Sequence, residues 1–188
     1  MMQTIHIVSL VVGICVGLGG WQLFVWVGET RDKNKKYKAA RAYALERNKP
    51  LLVAGGPWGN RQVRHILKKP AHGNGDVCLD IDPNAMTGHP NGVIASVTHI
   101  PFCDKSFGAA FASHLLEHLA STSDAQKALA ELNRVADAVF IAYPFRQSVG
   151  GWLTPGHHLW VWQKGNATYI KPRGKLGAKK EEYHAQVE

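Results

Sequence analysis

The sequence predicts an α/β fold: a Rossmann-like, mostly parallel sheet with helices on both faces, preceded by one transmembrane helix. Short apolar runs alternate with turn-forming and helical stretches through the middle of the chain, which favours a parallel sheet. The run Val77–Ile81 carries Asp80 near its end and is followed by Asp82, so it predicts a buried strand that ends in carboxylates. A glycine-rich turn at residues 55–59 precedes it by about 20 residues, the spacing at which an acid commonly holds a ribose.

The N-terminal run 4–27 contains no formally charged side chain and predicts the transmembrane helix. At about 1.5 Å per residue it exceeds a hydrocarbon core of roughly 30 Å. Basic residues follow this run rather than precede it, which is unlike a secretory signal and puts the N-terminus outside and the remainder in the cytoplasm. We therefore expect a transmembrane helix at 1–28, a basic helical stalk at 29–49, an α/β domain at 50–165 and a basic C-terminal arm at 166–188.

The composition limits the classes of binding partner that the protein is expected to have. The formal net charge of +8 indicates an acidic partner surface, which a membrane already provides, and no aromatic-basic motif accompanies it, so we expect no nucleic-acid partner. The three cysteines show no pairing pattern, in keeping with a reducing compartment. The spacing of Gly13 and Gly17 permits close helix packing, which leaves a membrane protein complex open as a partner.

The remaining helices and strands are predicted from the spacing of apolar residues and from the Gly and Pro residues that interrupt it. We expect strands at 51–54, 92–97, 107–113, 138–143 and 159–162, a helix through Val63, Ile66 and Leu67, and a second helix from Ser123. The stretch Asn84–Asn91 is too short and too rich in Pro and Gly for a crossover helix, so the domain looks trimmed.

A motif pattern runs through the second half of this domain. It consists of Ile100-Pro-Phe102, Asp104, Ser106-Phe107, Leu116-Glu-His-Leu119 and Glu131-Leu-Asn-Arg-Val135. In this pattern the chain resembles the class I S-adenosylmethionine-dependent methyltransferases, in particular the small type 11 branch. The resemblance implies S-adenosylmethionine as cofactor and direct methyl transfer to an acceptor.

The same resemblance implies where the site residues lie. Cofactor-binding residues are expected at Gly55, Gly56, Gly59, Asp80, Ser96, Ser113 and His114. Glu117, His118 and His157 are candidates for a catalytic base, and nothing in the sequence distinguishes them. Membrane anchorage favours a lipid, a quinone or a membrane protein as the acceptor.

A second function stays open. Val53, Pro57, Ser96 and Gly108 stand where the family usually has an acid, a glycine, an acid and an acid. The alternative is therefore a catalytically inactive methyltransferase-like subunit that serves a membrane protein complex as a structural or assembly factor.

The segment His114-Leu-Leu-Glu-His118 also fits the H-x-x-E-H motif of zinc peptidases. Such a site needs a third protein ligand and a long motif helix, whereas this segment meets Ser121 within one further turn. We therefore expect no bound metal and well under one equivalent of zinc.

Overall fold

The computed structural model describes residues 2–55, 75–86, 89–165, 167–174 and 181–184. Its first element is the helix α1 (Met2–Glu46), which runs unbroken through the predicted span and stalk. The helix ends in a Schellman motif: the N–H of Asn48 donates to Leu45 O (3.0 Å) and that of Lys49 to Ala44 O (3.1 Å). Asn48 has the left-handed φ of 52° that this ending requires.

A five-stranded, wholly parallel sheet follows, in the order β3-β2-β1-β4-β5. Its strands are β1 (Leu51–Ala54), β2 (Val77–Asp80), β3 (Gly92–Ile94), β4 (Phe107–Ser113) and β5 (Ala136–Ala142). The central strands β1 and β4 are buried along their whole length, as expected for a sheet covered on both faces. The predicted Rossmann-like class is confirmed.

The second half of α1 covers one face of this sheet. Ala40 and Ala44 are fully buried there, and the ring of Tyr37 packs edge-on against Phe111 of β4 (centroids 5.5 Å apart). A Cβ on Gly108 would lie 2.8 Å from the Cα of Ala44, so only glycine permits this approach. The stretch predicted as a stalk is therefore part of the core. The prediction overlooked that small residues spaced four apart let a basic helix pack closely.

The helix α2 (Thr122–Val135) covers the other face with five buried residues: Ala125, Ala128, Leu129, Leu132 and Val135. It begins earlier than predicted. Ser121, rather than Ser123, is the N-cap, and its Oγ accepts a hydrogen bond from the N–H of Asp124 (3.1 Å).

A separate antiparallel sheet follows the short helix α3 (Val149–Leu153). Its strands are β6 (Leu159–Lys164), β7 (Ala167–Pro172) and β8 (Glu181–His184). Ile170 in β7 is fully buried and joins the main core. Residues 167–172 thus differ from the extended arm expected from 166 onward, because a short apolar stretch within the basic tail pairs with β6.

Several boundaries differ slightly from those predicted. β3 ends at Ile94 rather than at residue 97, and β5 begins at Ala136, two residues early. The connection between β2 and β3 was predicted to be too short for a helix. Among its described residues, the helical structure is a single 3₁₀ turn, Pro83–Met86. The helix predicted through 63–67 lies outside the described residues.

The first half of α1 is apolar and exposed. Leu10, Val16, Leu23 and Phe24 each expose more than half of their surface, so nothing in the described chain covers them. By length and composition this helix is able to cross a membrane.

Candidate functional site

The carboxyl edge of the parallel sheet gathers four of the predicted cofactor residues. Gly55 follows β1, Asp80 ends β2, Ser96 lies just after β3 and Ser113 ends β4. These strands are neighbours, and the direction in which the sheet is built reverses between β1 and β4. Ligands of open α/β sheets bind beyond the carboxyl ends of the strands at such a reversal.

Gly55 occupies a position that only glycine suits. Its φ is +81°, and a Cβ would lie 2.6 Å from the carbonyl oxygen of Ser113 and 3.2 Å from Cβ of Leu115. Its N–H donates to Leu79 O (3.2 Å), which holds the turn against β2. Gly56 and Gly59, the other predicted glycines of this turn, lie outside the described residues.

Asp80 and Ser96 are partly exposed at this edge and are held by local hydrogen bonds. One carboxylate oxygen of Asp80 accepts from the N–H of Asp82 (3.0 Å). The Ser96 hydroxyl lies 2.8 Å from Oγ1 of Thr98 and also accepts from that residue's N–H (3.3 Å). Asp80 therefore presents a carboxylate at the strand end, whereas the Ser96 hydroxyl belongs to a turn.

The end of β4 turns sharply into the site. Ser113 is fully buried, and its Oγ has no hydrogen-bond partner among the described residues. His114 follows with φ +49°, and its N–H donates to Ala142 O of β5 (2.9 Å). This left-handed turn directs the chain away from the sheet and brings Nδ1 of His114 to 3.3 Å from Oε1 of Glu117.

Glu117 is the most unusual side chain of the site. It exposes 1% of its surface, yet neither carboxylate oxygen makes a hydrogen bond with a described residue. It lies in a single 3₁₀ turn, Leu116–His118, so His114 and His118 do not share one face of a long helix. The H-x-x-E-H geometry of zinc peptidases is therefore not formed.

The fold brings the three predicted base candidates together. Ligand atoms of Glu117, His118 and His157 all lie within 4.8 Å of one another, and the two imidazole rings meet edge to face at 4.6 Å. Nδ1 of His118 lies 3.2 Å from Gly156 O, and Nδ1 of His157 lies 3.1 Å from Gly151 O. Burial lowers the pKa of His157, so this ring favours its neutral form.

A cavity of about 500 Å³ opens beside this trio. One wall comes from the strand ends and the following loop, including His114, His118, Ser148 and His157. The opposite wall is α1 itself, through Trp26, Glu29, Thr30 and Lys33. This second wall could not be predicted from the sequence, because nothing in a linear pattern shows which face of α1 meets the domain.

Lys33 lines this cavity, and its burial lowers the pKa of its ammonium group. The negative charge of Glu29 partly opposes this shift. The same Glu29 accepts hydrogen bonds from Phe145 N and Ser148 Oγ, so it ties α1 to the loop after β5.

The family motif itself forms an ion-pair clamp behind the site. The Arg134 guanidinium donates to both carboxylate oxygens of Glu131 (2.7 and 2.9 Å), to the carbonyls of Ile100 and Phe102 and to Asp104. Glu131 in turn accepts from the N–H of Ile100 (2.8 Å). The hydrogen bond from Arg134 lowers the pKa of Glu131 to about 2. The separated motif segments thus meet in one network.

Comparison with known proteins bears on the same segment. A family model described as a methyltransferase domain matches residues 60–138. The predicted family resemblance is confirmed. The match covers less than half of the chain, but it includes Asp80, the clamp and the Glu117 turn of this methyltransferase-like domain. No curated protein sequence matches the chain.

Three solved structures illustrate how distant the structural relatives are. The YcgJ protein of Bacillus subtilis is 12% identical (TM-score 0.42; 74% of this chain and 72% of that one covered). The amino pentose methyltransferase CalS10 of Micromonospora echinaspora, solved with S-adenosylmethionine, is 11% identical (TM-score 0.41; 86% and 73%). The N-methyltransferase NodS of Bradyrhizobium japonicum, solved with S-adenosylhomocysteine, is 12% identical (TM-score 0.39; 76% and 80%). At TM-scores below 0.5, none of these likenesses assigns a residue or a substrate to this chain.

Proposed function

We propose that the protein is a membrane-anchored S-adenosylmethionine-dependent methyltransferase that acts on a lipid, a quinone or a membrane-associated acceptor. One observation carries the proposal: the cavity at the end of β4 has α1 as its second wall, at the point where the apolar run of that helix ends. An acceptor in this cavity lies between the carboxyl edge of the sheet and the membrane surface.

The cofactor end rests on the carboxyl edge of the sheet and on the family match. In this proposal Gly55, Gly56 and Gly59 let the backbone approach the cofactor, and Asp80 accepts hydrogen bonds from the ribose hydroxyls. Ser96 lies beside the adenosine, and Ser113 and His114 lie near the methyl group.

The transfer is a displacement at carbon. A lone pair of the acceptor forms a bond to the methyl carbon as the carbon–sulfur bond breaks, and that bond's electron pair stays on sulfur, leaving S-adenosylhomocysteine. Holding both reactants in line supplies much of the rate. Where the acceptor atom carries a proton, that proton passes to a base. The candidates are His118 and His157, which line the cavity, and Glu117, which lies beside them.

Contacts between α1 and the loop after β5 support a membrane-facing entrance. Gln22, inside the uncharged run, donates to Gln147 O (3.1 Å) and accepts from the N–H of Val149 (2.9 Å). The helix α3 is therefore level with the apolar run. Its outer side chains Val149, Trp152 and Leu153 are 46%, 59% and 74% exposed, which suits the interface between headgroups and hydrocarbon.

Orientation and partners complete the proposal. The basic flank after the run favours a single-pass protein with its N-terminus outside and its C-terminal domain in the cytoplasm. No residue of the described part of the chain lies within 4 Å of a Cβ built on Gly13, Gly17, Gly19 or Gly20, which leaves room for a helix of a membrane protein complex.

The substitution Asp80→Ala tests whether the protein binds the cofactor as the proposed methyltransferase function requires. A carboxylate that binds two ribose hydroxyls contributes about 1.5–3 kcal/mol, so the substitution is expected to weaken S-adenosylmethionine binding by roughly 10- to 150-fold. The measurement is titration calorimetry of the full chain in detergent. Asp82→Ala is the matched control, because among the described residues its side chain bonds to Asn84 of its own loop, and the hydrogen bond from its N–H to Asp80 remains.

Two outcomes contradict the proposal in different ways. A flat wild-type titration at millimolar cofactor supports the inactive structural or assembly subunit instead. Wild-type binding that survives Asp80→Ala unchanged keeps the enzyme and removes Asp80 from the cofactor site.

The membrane-facing entrance has its own test. In a background in which Cys15, Cys78 and Cys103 are all replaced by serine, Leu153→Cys is expected to react with a water-soluble maleimide several-fold more slowly in proteoliposomes than Lys127→Cys, since Lys127 is exposed on α2. Each rate is normalised to that of the denatured variant. Equal normalised rates would remove α3 from the membrane surface.

A further inference from the structure

We propose that Glu117, His118 and His157 form a binding site for one divalent transition-metal ion of the zinc class. The proposal rests on three observations: a buried carboxylate without hydrogen bonds, two imidazoles whose other nitrogens face backbone carbonyls, and a backbone that holds all three side chains together.

The carboxylate is the first observation. Glu117 is 1% exposed, and neither of its oxygens has a hydrogen-bond partner among the described residues; Nδ1 of His114 lies 3.3 Å from Oε1 but does not form a hydrogen bond with it. Burying a carboxylate is costly unless it is paired or coordinates a metal. Orphaned buried polar groups are rare in folded proteins, and an ion bound between Glu117 and the two histidines satisfies this one.

The tautomers of the two histidines are the second observation. Nδ1 of His118 faces Gly156 O, and Nδ1 of His157 faces Gly151 O, at 3.2 and 3.1 Å. A carbonyl only accepts, so each Nδ1 carries the proton, and in the neutral ring Nε2 keeps a free lone pair. Histidines that bind metals commonly donate their second N–H to a backbone carbonyl in this way.

The backbone framework is the third observation. The N–H of His158 donates to the carbonyl oxygen of Glu117 at 2.7 Å, which joins the 3₁₀ turn to the segment before β6. Gly156, with φ +84°, turns that segment so that His157 meets His118. Ligand atoms of the three side chains lie within 4.8 Å of one another, and a shared zinc-class ion holds such atoms at about 2.0–2.2 Å from itself.

Two histidines and one glutamate leave a fourth position open, as in zinc sites that bind water or substrate. His118 and His157 line the 500 Å³ cavity, so an ion bound by them would lie at its wall. If the proposed methyltransferase function holds, this position takes an oxygen of the acceptor, and the ion, in place of a free Glu117, His118 or His157, favours loss of the acceptor's proton. Metal binding itself does not depend on that function.

This site differs from the motif that the sequence suggested. His114 lies near Glu117 but outside the trio, and it acts by orienting the carboxylate through the 3.3 Å contact with Oε1. The expectation of no metal considered only His114 and His118 on a helix. The third ligand, His157, is contributed from beyond β5.

The experiment titrates the metal-stripped full chain in detergent with Co²⁺, followed by visible absorption, with Zn²⁺ as competitor. We expect one equivalent to bind and to give the intense bands of a four-coordinate ion. His157→Ala and His118→Ala are each expected to weaken binding at least 100-fold, since even loss of a supporting residue around a metal site commonly costs about 10–100-fold. Glu117→Gln tests the third ligand without changing side-chain volume.

His158→Ala is the matched control, because it removes an adjacent, exposed imidazole and keeps the N–H bonded to Glu117. This variant should bind Co²⁺ as the wild type does. Circular dichroism of the metal-free variants checks folding. If His157→Ala unfolds, the test depends on His118→Ala, because the His118 side chain is exposed and its loss should not disturb the core. Failure of the wild type to bind one equivalent, or equal binding by wild type, His157→Ala and His118→Ala, overturns the proposal. Neither result bears on cofactor binding, which the Asp80 titration measures separately.

Discussion

Two glutamates of the methyltransferase-like domain have opposite surroundings. Glu131, in the clamp, is 22% exposed, and its oxygens accept hydrogen bonds from Arg134 and from the N–H of Ile100. Glu117, in the trio, is 1% exposed and accepts none from the described residues. The more deeply buried carboxylate is therefore the less well satisfied.

The difference teaches how to separate structural charges from functional ones. A carboxylate whose lone pairs are filled by the protein stabilises the fold and leaves little capacity for a ligand. A buried carboxylate that the fold leaves unfilled costs stability and is retained where a ligand completes it. The residues of the family pattern that form the clamp therefore have a structural role. The functional role that we propose belongs to the trio.

Breaking the clamp should give the largest loss of stability. Glu131→Gln removes the charge that Arg134 and the N–H of Ile100 bind, and we expect a loss of about 1–2 kcal/mol after allowing for solvent screening. For a chain of this size that corresponds to a fall of roughly 2–8 °C in the melting temperature of the full chain in detergent. The exposed Glu46→Gln is the control and should change stability by less than about 0.5 kcal/mol. An unchanged melting temperature for Glu131→Gln would remove the clamp's structural role.

Replacing Glu117 of the trio by an uncharged residue should change the free energy of unfolding by a smaller amount and in the opposite direction. In the metal-free protein, Glu117→Gln removes a buried charge without hydrogen bonds, and we expect a gain of up to about 1 kcal/mol. The measurement is the same thermal melt after chelation. In protein saturated with Zn²⁺ the order should reverse, because only the wild type gains the free energy of metal binding. A loss equal to that of Glu131→Gln in the chelated protein would show that Glu117 has partners in the fold.

The smallest effect is a change of the clamp's contribution with pH. The pKa of Glu131 is lowered from 4.5 to about 2 in the folded chain, so its ionised form favours folding. The stability difference between wild type and Glu131→Gln should be complete above about pH 5 and shrink as the pH falls from about 4.5 toward 2. Melts at pH 7, 5 and 3.5 measure it; a difference that grows in acid would reverse the assigned sign.

The sequence predicted the parts of the clamp and of the trio but not how they meet. Ile100, Glu131 and Arg134 were recognisable as one family pattern, yet their spacing does not show that a single guanidinium joins them. Glu117 and His118 were noticed as neighbours, whereas His157 lies some 40 residues further along the chain. A contact of that separation depends on how β5, α3 and β6 pack, which no local pattern encodes.

The errors in the predicted organisation have the same origin. Ala40 and Ala44 looked like part of a solvated basic stalk because charge dominates that stretch, and only the close approach to Gly108 shows the buried stripe. Ile170 looked like part of a basic arm because its few apolar neighbours form a short run. Pairing with β6 makes that run a strand.

By itself, the sequence determined the local features: the uncharged run long enough to span a bilayer, the helix end before Pro50, the parallel strands and the carboxylate at the end of β2. Each depends on neighbouring residues through hydrophobic periodicity, backbone preference or length. Only the tertiary structure decided that α1 walls the cavity, that Arg134 closes the clamp and that His157 reaches Glu117. These features depend on burial and on distances between residues far apart in the chain, and burial is what turns an ordinary glutamate into one that needs a partner.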